Sequence, residues 1–200
     1  MTLAGLEPNG MKSSPTAPDN RHPMKPLRIV LFRHGPAGKP DASRWLDDEA
    51  RPLTSRGEAR TRAAAAGLVR LSSSARAIWS SPLVRAAGTA ALLREAYREP
   101  RVHTVEALRP RGSWRAIIER LQQHRGAGGT LVLVGHEPEL GKLAGTLVFG
   151  APRALPLRKA GACAIDFEGP IEAGKGQIAW FMTPKLLRAI SRKRRKEKSQ

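Results

Sequence analysis

The sequence predicts an α/β fold, a three-layer sandwich in which helices flank a mostly parallel central sheet. Three observations point there. Leu27–Phe32 and Thr130–Val134 are short apolar runs dominated by Leu, Ile and Val, with Arg28 and Thr130 their only polar residues, as strands covered on both sides require. Such runs alternate with longer segments of helical character, the pattern of βαβ units. Each of three runs also ends at a turn residue beside a histidine or an arginine: Arg33-His34-Gly35, Ser81-Pro82-Leu83-Val84-Arg85 and Gly135-His136.

Taken in order, residues 1–26 hold five prolines and little apolar periodicity, which predicts a disordered leader in which Met11 and Met24 are further candidate starts. Leu27–Arg33 reads as the first strand. Residues 36–52, with Asp41, Asp47, Asp48 and Glu49, read as a solvated loop beside it. Ser55-Arg56-Gly57-Glu58 has the form of a capping box and opens an Ala-rich helix that runs to about Leu71. Ala75–Trp79 is the second strand, and a helix begins after Pro82 and reaches Tyr97. Arg101–Val105 is a strand, residues 114–124 a helix, Thr130–Gly135 a strand and Glu139–Phe149 a helix. Lys159–Phe167 and Gly176–Phe181 predict two strands joined by a Gly-rich turn, antiparallel at the sheet edge. Pro184 suits the first turn of a last helix. The organisation is one domain, 27–184, between the leader and a basic helix or tail, 185–200.

Two hundred residues are enough for one sizeable core. No apolar stretch is long enough to span a bilayer, and no signal-peptide core is evident. The single cysteine, Cys163, lies in an apolar Ala-rich run and reads as a packed core residue, so nothing calls for an oxidising compartment. A cytoplasmic protein is expected. The net charge of +18 speaks to partners, not to fold. Residues 185–200 hold eight basic side chains and one acidic one. A run such as Arg192-Lys193-Arg194-Arg195-Lys196 suits nucleic acid, an anionic membrane face or an acidic protein. Only nine aromatics occur in the chain and none lies in the tail to stack on bases, which disfavours nucleic acid. There is no metal-ligand cluster and no Gly-rich dinucleotide fingerprint, so no cofactor is expected.

The strand ends carry the chemistry. In open α/β sheets, ligands sit in the crevice beyond the carboxyl ends of the strands. Arg33 and Arg85 offer forked donors to a phosphate, and Arg85 lies in the first turn of a helix, where free amides already attract anions. His34 and His136 are imidazoles able to act as base, acid or nucleophile near neutral pH. As strand-end residues of a parallel sheet, all four can converge on one cleft. The bland alternative, histidines serving as satisfied core residues, leaves the two arginines unexplained.

The ordered set Leu31-Phe32-Arg33-His34-Gly35, Arg51-Pro52-Leu53-Thr54-Ser55-Arg56-Gly57, Ser80-Ser81-Pro82-Leu83-Val84-Arg85-Ala86 and Val134-Gly135-His136-Glu137-Pro138 resembles the histidine phosphatase superfamily. Within it the chain is most similar to the small SixA-type phosphohistidine phosphatases, and the likeness extends through Lys159–Ala164 and Trp180–Pro184. The resemblance implies a phosphoglycerate mutase-like sandwich and a metal-independent phosphohydrolase acting through a phosphohistidine. It implies His34 as nucleophile, Arg33 and Arg85 as the phosphoryl clamp, and His136 as a donor to the phosphoryl group. Ester-cleaving members use a carboxylic acid to protonate the leaving group. Here the candidates are Glu106 and Glu137, each of which reads equally as an ordinary surface glutamate. A phosphoramidate is more labile than an ester, and its imidazole can depart already protonated. The resulting expectation is a protein phosphohistidine phosphatase in signal transduction, with an acidic partner such as a histidine-containing phosphotransfer domain. The alternatives are a phosphatase of small phosphate esters, a phosphoglycerate mutase-like enzyme, or a module that binds nucleic acid or acidic protein through the tail.

Overall fold

The structure, a computed structural model, describes residues 26–39, 41, 45, 47–123 and 128–197, with residues 193–197 traced by their helical backbone alone. The expected leader lies outside the described residues except for Pro26, as do His124 and residues 198–200. Six strands form one sheet in the order β3-β2-β4-β1-β5-β6. They are β1 (Leu27–Arg33), β2 (Ala77–Ser80), β3 (Arg101–Thr104), β4 (Gly129–Gly135), β5 (Ala162–Phe167) and β6 (Gln177–Met182). The first four run parallel, with β1 paired to β4 from Leu27 opposite Gly129 to Arg33 opposite Gly135. Strand β5 runs antiparallel to β1, and β6 antiparallel to β5 at the edge.

The central strands are apolar on both faces because both are covered. Ile29, Leu31, Leu131 and Leu133 point into one core, shared with α3 (Trp114–Gln123) and α4 (Glu139–Phe149) through Ile117, Leu121, Leu140 and Leu143. Val30, Phe32, Val132 and Val134 point into a second, closed by α1 (Ser55–Leu71), α2 (Val84–Ala96) and α5 (Pro184–Glu197). Cys163 is fully buried in the first core, and burial pushes its thiol up to about 12. None of the helices among the described residues is long and apolar enough to cross a membrane.

Four local expectations are corrected. The first helix is capped by Thr54, whose hydroxyl accepts from the Gly57 amide at 2.9 Å, so the cap lies one residue before the expected Ser55. Strand β2 begins at Ala77 and not Ala75, because its ladder partners Leu131 and Arg101 begin there. The strand expected from Lys159 begins at Ala162, since Ala160 adopts a positive φ of 59° and closes a turn. The stretch expected to be a solvated loop instead carries a 3-10 turn at Asp48–Ala50 and a buried Arg51. That turn reaches the site.

Candidate active site

His34 follows β1 and His136 follows β4, two parallel neighbours, so their side chains meet above the same end of the sheet. The His34 amide donates to the Gly135 carbonyl at 3.1 Å, and the imidazole centroids lie 5.0 Å apart. Gly35 is needed here: a Cβ would sit 2.0 Å from the Thr61 hydroxyl oxygen of α1. The Gly35 amide donates to Thr89 Oγ1 at 2.9 Å, and that hydroxyl donates to the Arg85 carbonyl at 2.8 Å. The end of β1 is thereby stitched to the first turns of α2, which brings Arg85 to the histidines. The structure thus gathers all four residues expected from the strand ends.

Both histidines are buried, 5% and 3% exposed, and both are neutral at physiological pH. His34 is pushed down to about 3, first by burial, then by His136, with Arg85 and Arg33 adding to the effect. Burial, then Arg85 and Arg33, push His136 down to about 4. A hydrogen bond of 2.7 Å joins His34 Nδ1 to the Gly35 carbonyl. In a neutral imidazole that contact requires the proton on Nδ1, which leaves the Nε2 lone pair available for attack. His136 Nε2 shares a 2.9 Å hydrogen bond with Ser81 Oγ from the β2–α2 turn.

The arginines are held on their outer faces. Arg33 Nη1 donates to the Leu157 carbonyl at 2.8 Å. Arg85 Nη1 donates to the Asp48 carbonyl at 2.7 Å, and its Nη2 lies 3.1 Å from the Asp48 carboxylate. The buried Nε atoms of Arg33 and Arg85 have no protein partner. Burial lowers both guanidinium pKa values, and an arginine keeps its charge in proteins.

Sequence reasoning gave no role to several neighbours. Arg51 is buried, donates from Nε to Asp48 at 2.8 Å and from Nη1 to the Gly38 carbonyl at 2.5 Å. Asp48 therefore bridges two buried arginines, which hold its carboxyl below the usual range. Lys159 also belongs to this cationic group: burial, then Arg33, Arg51 and Arg85, lower its pKa. The available signals were the position of Arg51 just before the helix cap and of Ser81 in the Ser-Pro turn.

The two candidate acids fare differently. Glu106 sits beyond β3, exposed, with Oε2 2.5 Å from Arg109 Nε; Arg109 also pairs with Glu49, tying the 48–50 turn to the far side of the cleft. Glu137 is partly buried, and its Oε1 accepts from the Leu157 amide at 2.9 Å; burial raises its pKa, with that amide and Arg33 opposing the rise. Among the described residues no three His, Cys, Asp or Glu side chains gather as a metal site would require.

Comparison with known proteins agrees with this geometry. The family model described as the histidine phosphatase superfamily (branch 1) matches residues 29–127. An uncharacterised protein of Picosynechococcus sp. is 39% identical over 137 residues, which span 68% of this chain and 82% of the relative. Among solved structures, the protein histidine phosphatase SixA complexed with tungstate superposes with a TM-score of 0.70 at 23% identity, over 80% of this chain and 99% of the other. A phosphoglycerate mutase from Bacillus anthracis superposes at 0.64 and 13% identity, over 86% and 99%. At these identities the two structures establish the fold, a phosphoglycerate mutase-like sandwich.

Proposed function

The chain belongs to the histidine phosphatase superfamily and is a phosphatase, and from that premise we propose that it hydrolyses phosphohistidine on a protein, through a phosphoryl group carried on His34. In this reading His34 Nε2 attacks phosphorus as the P–N bond to the substrate imidazole breaks, and that imidazole leaves as a neutral ring with its proton retained. Water then attacks the phosphohistidine, releasing inorganic phosphate and restoring neutral His34. Arg33 and Arg85 hold the equatorial oxygens, and His136 donates to them as charge develops; such catalysis is mostly positioning and electrostatics. The proposed partner is an acidic cytoplasmic phosphoprotein of a signalling pathway, such as a histidine-containing phosphotransfer domain.

One observation carries the reading. Two neutral buried histidines stand beside two buried guanidinium Nε–H donors that no protein atom takes, whereas Glu106 and Glu137 already have partners. A site with strong oxyanion donors and engaged carboxylates suits a leaving group that brings its own proton. A P–N bond to imidazole does so, and an alkoxide does not. The SixA structure was solved with tungstate, a tetrahedral oxyanion, which agrees with such a site on this fold.

The test compares kcat/KM for a phosphohistidine phosphotransfer domain with that for 3-phosphoglycerate and sugar phosphates, in one preparation. The phosphoprotein is expected to be dephosphorylated far faster. Faster hydrolysis of the esters, lost on changing Glu106→Gln, would make the protein a small-molecule phosphatase with Glu106 as its general acid.

A further inference from the structure

Glu137 follows a catalytic histidine, and its surroundings differ from those of a reactive group. One carboxylate oxygen, Oε1, accepts from the Leu157 amide at 2.9 Å, and the Leu157 carbonyl accepts from Arg33 Nη1 at 2.8 Å. The chain Glu137–Leu157–Arg33 is continuous, with the backbone of one residue, Leu157, donating through its amide and accepting through its carbonyl. The second oxygen, Oε2, lies towards the first turn of α4, near Gly141. Gly141 lacks a Cβ that would stand 2.8 Å from Glu137 Oε2 and 3.0 Å from the Leu155 carbonyl, so this approach depends on glycine. The Leu155 amide donates back to the Gly141 carbonyl at 3.2 Å. Residues 155–157 are therefore laced to the first turn of α4, and their last carbonyl faces the guanidinium.

We propose that Glu137 is a positioning residue that sets the guanidinium of Arg33 through the backbone of Leu157, and that it is not the acid that protonates the leaving group. The inference rests on the reading of Arg33 as a phosphoryl clamp. Arg33 has a long flexible side chain, and its Nε has no protein partner, so the Leu157 carbonyl is the hydrogen bond that orients its fork. Losing Glu137 frees that carbonyl to move. A displacement on the order of 1 Å of a positioned group costs catalysis up to about a hundred-fold.

Three variants separate the roles. Glu137→Gln keeps an oxygen within reach of the Leu157 amide and abolishes the acid. Glu137→Asp keeps an acid and withdraws it, and Glu137→Ala removes both. Positioning predicts that the Gln variant stays within about five-fold of wild type in kcat/KM, whereas Asp and Ala fall by about ten- to a hundred-fold. The Kd for inorganic phosphate, measured by calorimetry, should weaken in the same order. In an Arg33→Ala background, Glu137→Ala should add almost nothing, because residues acting through one another are non-additive. Should Glu137→Ala not fold, the Asp variant completes the same cycle. Loss in Gln but not in Asp, or the same penalty with and without Arg33, would overturn the proposal. A wild-type protein with neither turnover nor phosphate binding would instead refute the reading of the site itself.

Discussion

His34 carries an imidazole into a place that disfavours its protonated form, and the cause is chiefly burial, with His136 and the arginines second. A histidine titrates near 6.5 in an unfolded chain and at about 3 and about 4 for His34 and His136 in the folded one. Within that interval the unfolded chain binds more protons, so stability rises with pH and is lost as pH falls from 6.5 towards the folded values. His34→Asn removes one such contribution. Its melting temperature should gain on wild type as pH drops from 7 to 4.5, and a difference constant with pH would contradict the burial of a neutral ring. At this scale Arg33, His34, Arg85 and His136 were legible because strand ends announce themselves as apolar runs stopped by turn residues. Arg51 and Asp48 were not, because their roles depend on a turn that folds back over α2, and no periodicity encodes that closure.

Among the elements, α1 is placed by a contact that glycine permits. A Cβ on Gly67 would lie 1.9 Å from the Leu187 carbonyl of α5, so the two helix backbones touch. Gly67→Ala must push α5 outward and loosen Leu187 from the second core. Overpacking of this kind costs about 1–3 kcal/mol, or a fall of several degrees in melting temperature. Since neither Gly67 nor Leu187 belongs to the proposed phosphoryl clamp, kcat at 25 °C should stay within about two-fold of wild type. An unchanged melting curve would argue against so close a helix pair. The element boundaries follow the same logic as the residues. Strand β1 and helix α4 were readable to the residue, because an apolar run and a terminal Gly150 with φ of 76° mark their limits locally. The start of β2, the Thr54 cap and the short 3-10 turns were misread or missed, since pairing with distant strands and a single hydroxyl decide them.

For the molecule as a whole, the order β3-β2-β4-β1-β5-β6 is what makes a site from scattered residues. It seats β1 beside β4 and β4 beside β2, so the ends that carry His34, His136 and the Ser81–Arg85 turn adjoin although they are distant in sequence. The two antiparallel strands extend the sheet at one edge, and the turn before β5 returns Ala160 to the Arg33 and His34 carbonyls. The chain's net charge of +18 should speed its encounter with anionic partners. The central claim is that the convergence creates a nucleophile at His34 Nε2. It is tested most directly by mixing the enzyme with a phosphohistidine protein labelled on its phosphoryl group, quenching rapidly in base, and locating the label by mass spectrometry. The account predicts a phosphoryl group on His34, stable in base, lost in acid and absent from His34→Ala, which should also lack turnover. Label on any other residue, or full turnover in His34→Ala, would contradict it.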